Sequence, residues 1–143
     1  MRFFRAILLC AALAFSVRAA DLTGTWKAVF DPDPGLKTVS EMTFHLVADG
    51  YRLTGTAHMS GFPGDGPVTD GHIDGDHFTF TVITQNRWRA EGVGGSRSGH
   101  PKLTFTGTVH DGEMQIHLVY GSIMLYGDAP IPREYTMRAT RIE

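Results

Sequence analysis

The chain has 143 residues, 42% of them apolar, with seventeen glycines, one cysteine and a formal charge of −2. Apolar content near the globular average excludes a disordered chain, the length fits one domain, and a single Cys cannot pair within its own chain.

Arg2 and Arg5 open a three-part pattern. Ala6 to Phe15 is an apolar run of ten, and Val17-Arg18-Ala19 supplies a small-residue cleavage signal. This is the pattern of a secretory signal peptide, so residues 1–20 are expected to be a leader and 21–143 a single domain. The run is shorter than the roughly 20 apolar residues a bilayer span needs, and the competing reading is a short buried helix. Cys10 follows Leu8-Leu9, unlike a lipidated Cys. Cleavage near Ala19 or Ala20 removes Arg2, Arg5 and Arg18 but no acidic residue. Ten basic and fifteen acidic residues remain, a net of −5, with no Cys. A cysteine-free chain suits an oxidising compartment, so a periplasmic or extracellular location is expected, with no membrane insertion after cleavage. A net negative chain is a poor partner for nucleic acid, whose binding relies on clustered Lys and Arg.

The rest of the chain has period two. Strands are predicted over 22–30, 38–48, 51–58, 68–74, 76–84, 102–110, 113–120 and 134–142, each alternating apolar residues with Thr or charged residues. In 68–74, Val68 and Ile73 fall on opposite parity, which requires a bulge or bend near Gly71. A ninth strand is a further option within 86–94. Asp49-Gly50, Asp74-Gly75 and Asp111-Gly112 mark tight turns, and Asp-Gly favours the two-residue turn with positive φ at both centres. The other connections, 31–37, 59–67, 85–101 and 121–133, are long. Tight and long connections alternate without exception. In an up-and-down meander this gathers the tight turns at one end and the long loops at the other. About eight strands can close into an all-β antiparallel barrel, which removes the sheet edges. A two-sheet sandwich is the architectural rival.

Gly24-Thr25-Trp26 on the first strand resembles the Gly-x-Trp of calycins, the lipocalin and avidin superfamily. The resemblance implies that Trp26 sits at the closed end, with an Arg from the last strand across it. Arg141 shares a face with Tyr135, Met137 and Ala139 and is the expected partner; Arg138 takes its place if that strand carries a bulge. Leu22-Thr23-Gly24-Thr25-Trp26, Ala48-Asp49-Gly50 and Leu53-Thr54-Gly55-Thr56 also resemble the opening of bacterial avidins, over about the first third of the presumed mature chain. Beyond that the likeness stops. Trp88 is the only other Trp and Lys27-Ala28-Val29 follows Trp26, so biotin binding is not implied.

The chemistry-bearing residues are sparse. Of seven His, His58, His77, His110 and His117 share parity with the Thr face, which is read as solvent-facing rather than as a metal centre. Ser96, Ser98 and His100 lie close in a Gly-rich loop, whereas a Ser–His pair needs rigid geometry and an orienting acid. No cofactor or catalytic residue is expected. The inward face carries Leu53, Phe78, Phe80, Val82, Leu103, Phe105, Ile116, Leu118, Tyr120, Tyr135 and Met137, interrupted by Gly55 and Gly107. It reads equally as a filled core or as a cavity.

The long-loop end is the functional candidate. Loop 85–101 has three Arg against Glu91, a local +2 in a chain whose remaining mature part totals −7. The expected ligand-binding set is Phe62, Arg87, Trp88, Arg89, His100 and Tyr126, with Ile131 adding apolar surface; the structural set is Gly24, Trp26 and Arg141. Alternatively Trp88 packs as core in a ninth strand, with Arg87 and Arg89 solvated on the other face. Three functions fit: binding of a small apolar or anionic molecule at the mouth, a protein-binding or inhibitory module using the same loops, and a barrel-enclosed cyclase or isomerase. Intact-mass measurement of the exported protein is expected to show a chain starting at Ala20 or Asp21; retention of residues 1–20 would exclude the leader.

Overall fold

A computed structural model describes residues 21–33, 38–60, 65–128 and 130–143. It contains β1 (Gly24–Asp33), β2 (Thr38–Asp49), β3 (Arg52–Ser60), β4 (Gly66–Asp74), β5 (His77–Ile83), β6 (Trp88–Gly92), β7 (Gly95–His110), β8 (Glu113–Tyr126) and β9 (Arg133–Arg141), all paired antiparallel. Eight of these form a closed barrel in the order β1-β2-β3-β4-β5-β7-β8-β9, shut by β9 on β1 and by β5 on β7. β6 lies outside the ring. It occupies the ninth-strand option of the sequence and pairs with β7 alone among the described strands.

The connections between strands follow the meander, with tight turns at one end. The register fixes two-residue turns at Gly50–Tyr51, Gly75–Asp76 and Asp111–Gly112. Only the last has Asp-Gly at both centres with positive φ (48° and 74°). In the other two the glycine comes first, at φ 61° and 63°, and the preceding Asp is the last strand residue. A single glycine with positive φ at the first centre is the other turn that matches strand twist. Tyr51 is consequently a turn residue, 67% exposed, and not part of the inward face. The long connections on either side of the β7–β8 hairpin also differ from expectation. β7 starts at Gly95 and β8 runs to Tyr126, so most of 85–101 and half of 121–133 is strand.

β4 carries one residue more than its neighbours. Thr69 pairs with Thr81 and His72 with Thr79, so Asp70 and Gly71 span the space of one residue on β5. Asp70 adopts φ 51°, and a Cβ on Gly71 would lie 1.8 Å from the Leu53 carbonyl oxygen. This bulge resets the parity, and Val68 and Ile73 both turn inward.

The interior is filled. Phe44, Phe80 and Phe105 are at most 1% exposed and meet at its centre, with ring centroids 5.7 Å (44–80), 5.2 Å (44–105) and 4.8 Å (80–105) apart. Small inward residues sit opposite large ones across the strands. Ala57 faces Phe44, Gly55 faces Leu46, Ala28 faces Met42, Ala139 faces Met114, and Gly107 faces Phe78. A Cβ on Gly107 would lie 2.8 Å from Phe78 Cζ. Eight strands enclose a lumen about the width of packed side chains, and this pairing of sizes fills it.

At the closed end Trp26 is fully buried and donates its indole N–H to the Leu22 carbonyl at 2.9 Å. Arg141, its cross-strand neighbour, lays its guanidinium 4.7 Å from the ring centroid and donates to the Asp21 carbonyl. Arg138 lies on the outer face, 3.8 Å from Glu113. Gly24, at φ 139°, allows the C-terminal segment to approach: a Cβ there would lie 2.7 Å from the Glu143 carbonyl, which accepts from Thr25 N–H at 3.1 Å. Truncation of the central ring, Phe105→Ala, is expected to lower unfolding free energy by roughly 3–5 kcal/mol in a urea titration.

Candidate functional site

Beyond the ring, β7 and β8 continue without their barrel partners. β5 leaves β7 at the Ile83–Lys102 pair, and β9 leaves β8 at Arg133–Tyr120. The overhanging segments pair with each other, and β6 covers the free side of β7, from Trp88–Gly99 to Gly92–Gly95. The result is a three-stranded tongue rising from the long-loop end. Its tip is a tight turn at Val93–Gly94, where Val93 is fully exposed.

Alternation assigns the side chains of the tongue to two faces. Trp88 lies on the face that continues the barrel interior. It sits opposite Gly99, whose missing side chain leaves room for the indole, and its N–H donates to Ser122 Oγ on β8 at 3.0 Å. The indole thus crosses β7 and ties β6 to β8. Arg87 and Arg89 take the outer face. Arg87 donates to Ser98 Oγ at 2.9 Å, Arg89 sits opposite Ser98, and Ser98 sits opposite Tyr126. A cleft of about 300 Å³ is lined by Arg87, Arg89, Ser96, Ser98 and Tyr126. A neighbouring hollow of about 580 Å³ runs along the tip from Gly92 to Arg97 and reaches Tyr126 and Asp128.

The six residues singled out in the sequence therefore separate. Arg87, Arg89 and Tyr126 share the cleft. Trp88 occupies the opposite face. The Nδ1–H of His100 donates to the Thr84 carbonyl at 3.2 Å, which clips the β5–β6 connection to β7 rather than lining the cleft. Phe62 lies outside the described residues. The sequence reading weighed Ser96 and Ser98 only beside His100 and left them out of the ligand-binding set, although their i, i+2 spacing places them on one face of an extended strand. Ser98 is 3% exposed, and its hydroxyl is held by the Arg87 guanidinium.

Charge distinguishes this cleft from a second concavity. A trough of about 690 Å³ crosses the outer face of β5, β7, β8 and β9 and includes His77, His117 and Arg138. Each of these already has a carboxylate nearby: Asp76 at 2.7 Å, Glu134 at 3.7 Å and Glu113 at 3.8 Å. In the tongue cleft Arg89 is 3.3 Å from Glu91, but among the described residues no carboxylate lies within ion-pair distance of Arg87. No group of three or more metal-ligating side chains converges among the described residues.

The mouth wall beneath the tongue carries Tyr120 and Tyr135, both partly buried against the core. Burial pushes the Tyr120 phenol above its ordinary value of 10.0; the Tyr135 phenol adds to this and Arg133 opposes it. Tyr120 is thus a neutral phenol at physiological pH. Comparison with protein-family models and with curated proteins finds no match.

Because the fold favours the neutral phenol, the Tyr120 contribution to stability is intact below pH 10 and is lost as pH rises through the folded value. In urea unfolding at a series of pH values, the difference between Tyr120→Phe and wild type is expected to be constant below pH 10 and to shift in favour of the Phe variant above it. A difference that stays flat would contradict a buried phenol.

Proposed function

We propose that the chain is an exported, calycin-like barrel that binds a small anionic molecule at its long-loop end, as a binding protein rather than an enzyme. Export rests on the leader pattern of residues 1–20. The calycin likeness is supported by Gly24, by Trp26 at the closed end and by Arg141 across its ring. The observation that carries the ligand reading is Arg87. Its guanidinium borders a cleft, is anchored by a neutral hydroxyl and has no carboxylate partner among the described residues. An oxyanion entering the cleft would meet guanidinium donors from Arg87 and Arg89, hydroxyls from Ser96 and Ser98, and the Tyr126 ring for an attached apolar group. The filled interior argues for a ligand on the outer face of the tongue rather than an apolar ligand within the barrel.

A second reading, a protein-binding module, is favoured by the exposed apolar side chains around the tongue: Val93, Leu125, Tyr126 and Ile131 are 53–112% exposed.

Calorimetric titration with phenyl phosphate tests the first reading. Wild type is expected to bind, and Arg87→Ala to bind about tenfold to a hundredfold more weakly with an unchanged circular dichroism spectrum. Arg87→Lys is expected to recover only part of the loss, since an ammonium lacks the guanidinium fork. Equal affinities for wild type and Arg87→Ala would overturn the assignment of the cleft.

A further inference from the structure

β6 ends the sheet order, and its side away from β7 has no strand partner among the described residues. No backbone hydrogen bond from outside the β6–β7 ladder reaches Trp88–Gly92 among the described residues. Arg89, Ala90, Glu91 and Gly92 are all exposed. An open edge of this kind presents unpaired N–H and C=O groups to any extended strand. What selects the partner is the sequence of the edge itself, Trp88-Arg89-Ala90-Glu91-Gly92.

We propose that this edge pairs with the same edge of a second copy of the chain, antiparallel, about a twofold axis at Ala90. Residues directly opposite in such a pair project on the same face. Arg89 then lies opposite Glu91 of the second copy, and Glu91 opposite Arg89 of the second copy, so both outer-face charges are matched twice. On the inner face Trp88 lies opposite Gly92 of the second copy, which offers no side chain to clash with the indole. Moving the axis by one residue sets Arg89 on Arg89 or Glu91 on Glu91. The charges therefore specify one register as well as one partner. Within one copy Arg89 and Glu91 are already 3.3 Å apart and about two-thirds exposed, a weak pair that exchanges for the intermolecular ones at little cost. Five residues make a short interface, so the dimer is weak and concentration-dependent.

This inference shares Arg89 with the ligand reading but is tested apart from it, because association is read by mass and the ligand reading by heat of binding to Arg87 variants. Sedimentation equilibrium of the protein recovered from expression of the full chain is expected to show a monomer–dimer equilibrium. Arg89→Glu and Glu91→Arg each set like charges opposite one another at two positions, and each is expected to weaken the dimer about tenfold or more. The double variant restores the match and is expected to restore the dimer. Mixing the two single variants is expected to give a heterodimer that neither forms alone. A chain that stays monomeric at all concentrations, that pairs only with an unrelated extended polypeptide, or whose single and double variants all associate like wild type, overturns the proposal.

Discussion

The ladder between β5 and β7, seven residue pairs from His77–Thr108 to Ile83–Lys102, joins the two halves of the meander and makes the sheet a closed surface. Closure does more than satisfy the backbone groups of two edges. It fixes the number of strands in the ring at eight, and with it the width of the lumen. The inner side chains then have little freedom of size. Phe44, Phe80 and Phe105 take the centre, and alanines and glycines stand opposite the larger residues. Gly71 gives up its side chain so that the bulged β4 can lie against Leu53.

A filled ring leaves chemistry to its rim. β7 is sixteen residues long and β8 fourteen, against seven for β5 and nine for β9. The excess strand length has to emerge at one end, and the tight Asp111–Gly112 turn anchors the other. The tongue is therefore a direct consequence of unequal strand lengths around a closed ring. β6 follows from the same mismatch, since the part of β7 that β5 does not reach needs another partner. Trp88 fastens that partner by reaching across Gly99 to Ser122, and Arg87 and Arg89 are carried to the outer face by alternation.

The tongue region carries three arginines, Arg87, Arg89 and Arg97. On the barrel wall Lys27 lies beside Glu41 at 2.9 Å and Arg138 beside Glu113 at 3.8 Å. The Gly-rich tip has few side chains of either sign. Arg87 is consequently left with a hydroxyl as its anchor, and the potential over the cleft is set by guanidinium groups in a largely acidic molecule.

Much of the barrel was legible in the residues. Period-two alternation, three Asp-Gly signals and the strict alternation of tight and long connections are local properties, and they suffice for eight antiparallel strands and for a bulge at Asp70–Gly71. Local chemistry also specified which side chains point inward, because parity within a strand does not depend on its neighbours. It did not specify which residue of each Asp-Gly pair belongs to the turn, since Gly50 and Gly75 are paired with residues that cross-strand register selects. It did not reveal that residues 95–101 and 121–126 are strand, because Gly and Ser carry little intrinsic preference and become extended by pairing with each other. Nor could it choose between gathering Arg87, Trp88 and Arg89 in a loop and dividing the two arginines from Trp88 across a ninth strand, since that depends on whether residues 88–92 find a strand to pair with. The sequence by itself determined the strands, their faces and the charge of each segment, all of which are short-range. Only the tertiary structure decided that the lumen is full and that one outer face carries the arginines, because both depend on pairing distant strands at particular lengths.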